Sequence, residues 1–317
     1  MKYLTLKLAV IGTLGLVASP VMAGWLVGLP AAGYAVTGGT TAYALCNPTG
    51  NFGSGLAVKA SPGVNDACAV FPTSEAVPPD STYPTTPISI ASRPVVMNNT
   101  YTGGVNKTVG TVTEYVWRKA VGSTYECIYG AKVVNNSTDY HTSPGNQYFE
   151  VNDIARAGFS GLNIDVAYST VPTVSEPVYR VGRTYTAVQN RPQPGYVARP
   201  LTGSSASING VNAWPTPAGS PTAAQQTADL NSNWVNFTTD VNYFDDDGST
   251  AAASGMVYVR SACSAAAPVA VAGAIRLRQT FQELAGDGAT NNNFIEVSVS
   301  GFVPPGGTAT PAHTDPY

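Results

Sequence analysis

Residues 162–168 read Leu-Asn-Ile-Asp-Val-Ala-Tyr (LNIDVAY), and their alternation decides the fold class. Leu162, Ile164, Val166 and Tyr168 fall on one side of an extended chain, and Asn163, Asp165 and Ala167 on the other. Period two marks a strand, because successive side chains of extended backbone point to opposite faces. Val235, Phe237, Thr239, Val241 and Tyr243 repeat the pattern. Ile295, Val297, Val299 and Val303 repeat it again, opposite Glu296, Ser298 and Ser300. Ile275, Leu277 and Phe281 mark a strand just before. Between these last two lies Gly286-Asp287-Gly288, then Asn291 to Asn293, a turn-forming cluster. The pair predicts a C-terminal antiparallel hairpin with a long tip.

Further out, Val112–Arg118 (VTEYVWR) parallels Val174–Arg180 (VSEPVYR), and each is followed by a similar pentapeptide, Val121–Tyr125 and Val181–Tyr185. Met256–Arg260 is a weaker echo. The readings are a duplicated hairpin unit or convergent strand composition, and both predict strand, glycine turn, strand. Helix is scarce. Asn152-Asp153 has the residues to cap a short helix through Ala157, stopped by Gly158, and Gln225–Leu230 has room for one more turn. Neither is long enough to cover a parallel sheet. The expected fold is all-β, an antiparallel β-sandwich of jelly-roll or Greek-key type with little helix.

Composition agrees. The 317 residues include 32 Gly and 24 Pro, which suit many short strands and turns. Hydrophobic residues are 44% of the chain, too many for disorder, and charged residues only 11%. The net charge of −3, without a basic run, argues against nucleic acid as a partner. The β-rich domain is expected over 24–303. The Pro/Gly/Ser/Ala-rich stretch within 191–227 marks 200–227 as the place where it would divide. Residues 304–317, without a core pattern, are expected to form a flexible tail.

The N-terminus carries an export signal, residues 1–23. Lys2 and Lys7 precede the ten-residue apolar run Leu8–Val17, and Val21-Met22-Ala23 offers a cleavage site before Gly24. The run is half the length a membrane span needs, so no span is expected after cleavage. Signal and composition have a bacterial cast. The expected location is secreted or at the cell surface, with the periplasm as the alternative. Export makes the cysteines legible. Cys46, Cys68, Cys127 and Cys263 are even in number, and two disulfides follow from an oxidising compartment. Cys46–Cys68 is favoured by its short loop, and Cys127–Cys263 follows by elimination.

No motif names an activity. Asp245-Asp246-Asp247-Gly248 follows a strand and is a calcium candidate through its hard oxygen ligands. The EF-hand spacing fails, since Tyr243 and Ser254 stand where ligands belong, and a solvated Asp-Gly turn is the favoured reading of the run. No other cofactor is expected. GxSxG, HExxH and phosphate-loop patterns are missing, and the two histidines are His141, in a polar loop, and His313, in the tail. Glu150, Asp153 and Asp165 are the carboxylates to consider for glycoside hydrolysis. Trp117 and Trp214, with Tyr179 and Tyr258, are candidates for stacking on sugars, against the simpler reading of core rings or cross-strand pairs. Asn98, Asn106, Asn136 and Asn236 head glycosylation sequons. The leading expectation is an exported structural or adhesive surface protein acting through β-sheet contacts, without catalysis. Its partners would be other copies of itself or other surface proteins, with Gly24–Val36 as a strand donor. A carbohydrate-binding module using exposed aromatics and a secreted hydrolase without a sequence signature are the alternatives.

Overall fold

The computed structural model describes residues 26–36, 39–46, 68–141, 145–169, 178–185, 212–213, 230–244, 251–280 and 294–310. Residues 1–23, read above as an export signal, lie outside them. Every regular element among them is a strand. In chain order these are β1 (Val27–Leu29), β2 (Tyr34–Val36), β3 (Gly39–Thr41), β4 (Tyr43–Leu45), β5 (Ala69–Val70), β6 (Ser89–Met97), β7 (Lys107–Val121) and β8 (Thr124–Asn135). They continue as β9 (Val151–Arg156), β10 (Ile164–Ser169), β11 (Arg180–Gly182), β12 (Asn212–Ala213), β13 (Val235–Val241), β14 (Val257–Cys263), β15 (Val269–Thr280) and β16 (Phe294–Val303).

They form the expected antiparallel sandwich. The first sheet runs β1-β10-β14-β8-β7-β6, with β5 beside β10, and the second β12-β4-β11-β13-β9-β15-β16. Among the described residues only β5 with β10 and β12 with β4 pair in parallel. β2 and β3 make a separate hairpin. From β8 to β11 the chain changes sheet at every step, so these consecutive strands lie in opposite sheets. Strands from either side of 200–227 pair directly, as β10 does with β14 and β9 with β13.

The inner faces carry the periodic residues of the sequence. Ile164, Val166 and Tyr168 pack with Val112, Val116, Tyr129, Val235, Phe237, Ile275, Leu277, Ile295 and Val297 in one buried cluster. The outer face of the first sheet is also covered. Trp117, Ile128, Ala167 and Tyr258 pack there under Leu26, Val70 and Tyr83. Sequence alternation cannot foresee this layer, because distant segments supply it.

Both expected disulfides are present. Cys46 follows β4 of the second sheet and Cys68 precedes β5 of the first, so this bond joins the sheets. Cys127 and Cys263 join β8 to β14 within the first sheet. Both bonds suit an oxidising compartment. Among the described residues no helix is long and apolar enough to cross a membrane.

Three expectations fail. Residues 152–157 are not a helix: Val151–Arg156 is the buried strand β9, held between β13 and β15. The cap signal is local, and tertiary pairing overrides it. The glycine turn expected in both similar segments is found, among the described residues, in the first: Gly122, at φ 60°, turns β7 into β8, whereas Gly182 is the last residue of β11, opposite Asn236 and Tyr43. Glu296, expected on a polar outer face, is fully buried. The C-terminal hairpin forms as β15 and β16, with a register shift between Val271 and Ile275; its tip at 281–293 lies outside the described residues. Residues 225–229 and most of the 191–227 stretch lie outside them as well, and Leu230 is in no helix.

Candidate functional site

Alternation places Glu114 on the inner face of β7, between Val112 and Val116. Its carboxylate accepts from Arg156 of β9 at 2.6 Å, from Arg93 of β6, and from the Phe302 N–H of β16 at 3.1 Å. Arg156 also donates to the Tyr129 carbonyl at 2.8 Å. Burial pushes the Glu114 carboxyl upward, and Arg156, Arg93 and the Phe302 N–H pull against it. A second buried group lies in the other sheet, where Arg278 meets Asp153 at 3.0 Å and Glu296 at 2.6 Å, and Asn236 donates to Asp153 at 2.8 Å. Burial raises the Asp153 carboxyl to about 6, against the pull of Arg278 and Asn236. Both groups are fastenings between strands, in which each buried carboxylate has a buried guanidinium partner.

A third cluster fastens the 71–88 segment to the outside of the first sheet. Arg260 meets Asp80 at 3.3 Å and Asp165 at 2.7 Å. Lys119 meets Glu126 at 3.3 Å and covers the Tyr83 ring at 4.4 Å, while Tyr83 donates to Glu126. These ion pairs are partly exposed, so each stabilises by about 0–1 kcal/mol.

The sequence candidates do not converge. Trp117 is 0% exposed, under Leu26 and Tyr83, so it is no surface for a sugar. Tyr179 and Tyr258 are buried too. The neighbouring arginines are occupied: Arg118 donates to the carbonyls of Ser264, Ala265 and Ala266, and Arg260 is ion-paired. Trp214, the Asp245–Asp247 run, Asp287, Asn291, Asn293 and His313 lie outside the described residues. Among the described residues no group of three or more His, Cys, Asp or Glu is placed to hold a metal ion. His141 meets the Tyr101 ring edge-on at 5.2 Å, and its backbone N–H donates to Asp139. Asp165 and Asp153 sit in different sheets, and Glu150 accepts from Asn152. Asn236 is buried and has no room for a glycan; Asn98 and Asn106 are exposed and hydrogen-bond each other at 2.6 Å. The expected donor segment is in use within its own chain, since β1 pairs with β10 and Leu29 is buried in the core.

Two features among the described residues remain free for contact. The first is β6, at the end of the first sheet, with one strand neighbour among those residues. Ile90, Ser92, Pro94 and Val96 alternate outward and exposed, Ile90 by 61%. Its sequence signal is Pro94, since proline within a strand is confined to sheet edges and bulges. The second is a cavity of about 350 Å³ at one end of the sandwich. Ser264 and residues 266–268 after β14, Val269 and Val271 of β15, and residues 303–307 form its walls with Tyr129 and both sulfur-bearing residues of the Cys127–Cys263 pair. No sequence pattern marks it, because its walls come from three separate segments.

Comparison of the chain with known protein families, with curated proteins and with solved structures finds no match.

Proposed function

We propose that this protein is an exported structural or adhesive component that works through contacts of its β-sheets, without catalysis. The observation that carries the reading is the outward stripe of β6. An edge strand presents unpaired backbone donors and acceptors, and natural proteins blunt such edges with charge, proline or bulges; β6 has Pro94 and a register shift between Val95 and Val96, but no charge at its exposed positions. Here the exposed positions are Ile90, Ser92, Pro94 and Val96, with Ile88 exposed just before them. Uncharged, partly apolar edges of this kind suit pairing with another chain. The partner is a second copy of this protein or another surface protein. The disulfides, the export signal and the low charge support work outside the cytosol.

The test is self-association of the purified mature chain, followed by light scattering and electron microscopy across concentration. Ordered assemblies are expected, and Ile90→Lys should abolish them while leaving the circular dichroism spectrum unchanged. A chain that stays monomeric and binds no surface protein at any concentration would overturn the reading.

A further inference from the structure

The geometry points to a second property, independent of assembly: we propose that the Cys127–Cys263 disulfide exchanges with small thiols that enter the end cavity, while Cys46–Cys68 does not. Exchange requires a thiolate to reach a disulfide sulfur, so access selects the bond. Cys46 and Cys68 are 0% and 1% exposed. Cys127 is 2% exposed, but Cys263 is only partly buried, and both line the cavity. The rim beside them, residues 265–267, is exposed. The remaining walls are mostly apolar, with Ser264 and Tyr129 the polar members, and carry no charged side chain.

The thiolate of a small dithiol attacks the Cys263 sulfur, forming a mixed disulfide there and expelling the Cys127 thiolate. Cys127 takes up the proton that the attacking thiol gave. The second thiolate of the dithiol then attacks its own bound sulfur, closing a cyclic disulfide and releasing the Cys263 thiolate, which is protonated in turn. Two electrons pass from the dithiol to the protein pair. A monothiol goes no further than the mixed disulfide: the Cys127 thiolate beside it attacks the Cys263 sulfur, reforms the protein disulfide and expels the monothiol as its thiolate, which takes up the proton.

Reduction should leave the sandwich standing. β8 and β14 remain paired from Val257 opposite Ala131 to Cys263 opposite Tyr125. Arg118 goes on holding the crossover through the carbonyls of residues 264–266.

The experiment treats the folded, oxidised mature chain with graded dithiothreitol, quenches with N-ethylmaleimide and maps the labelled peptides. Cys127 and Cys263 should label roughly tenfold or more faster than Cys46 and Cys68, as access sets the rate. The circular dichroism spectrum should persist, and low urea should not change the rate. Ala266→Trp, at the cavity rim, should slow labelling of Cys127 and Cys263 alone. Equal rates for the two pairs, prior labelling of Cys46 and Cys68, a rate that rises with urea as unfolding does, or indifference to Ala266→Trp would each overturn the proposal.

Discussion

Glu114 receives donors from three strands of two sheets, and that makes it more than a surface carboxylate turned inward. Its three partners, Arg93, Arg156 and Phe302, lie on β6, β9 and β16. Removing one member of a buried pair leaves the other charge uncompensated, which costs about 3–5 kcal/mol. Glu114→Gln keeps the shape and loses the charge, so its unfolding free energy, measured by urea titration, should fall by an amount in that range, with a lower midpoint and an unchanged slope. Asp153 behaves differently because it titrates. Its carboxyl, raised to about 6 in the fold, would titrate near 3.9 in the unfolded chain. The folded state therefore binds the proton more tightly. The contribution is fully present below about pH 4 and is lost as pH rises through about 6. Asp153→Asn cannot ionise. The melting temperature of the variant, relative to the natural chain, should climb between pH 4 and 6 and then level off. A flat difference would mean that Asp153 stays ionised throughout.

At the level of elements, β9 shows where reading by pattern stops. It carries Asn152 and Asp153, good caps, and no clean alternation, since both of its faces are buried. What makes it a strand is β13 on one side and β15 on the other, more than a hundred residues downstream in the second case. β10, β13 and β16 were legible because their inner faces alternate in aliphatic and aromatic residues. Their outer faces misled, since Asp165, Asn236 and Glu296 look solvated and are paired instead. The cysteine pairs were legible from loop length and elimination. The cavity and the β6 edge were not, because each depends on which segments end up side by side. Just past β9, Gly158 has φ 103°, and a Cβ there would lie 2.6 Å from the Val303 Cβ. Gly158→Ala should cost about 1–3 kcal/mol through backbone strain alone, with the clash added. A thermal melt of the variant checks this, and an unchanged midpoint would mean that β16 can shift aside.

For the whole molecule, the sheets are joined by packing, by the Glu114 fastening and by one covalent bond. The Cys46–Cys68 loop has a sequence separation of 22. Closing a loop of that size stabilises by roughly 3 kcal/mol in the chain-entropy model. The double variant Cys46→Ala, Cys68→Ala should lose about that much by calorimetry; a loss near zero would mean that packing alone fixes the sheets. The pairing order of the strands also sets a timetable. While the chain is being made, β6, β7 and β8 can zip together as neighbours, but β9 has no partner until residues 235–241 and 275–278 exist, and β4 waits for β11. Pairings between sequence-distant strands are slow to form. The second sheet is therefore completed only once residues 294–303 have been made, and until then the sandwich stays open on the β15 side.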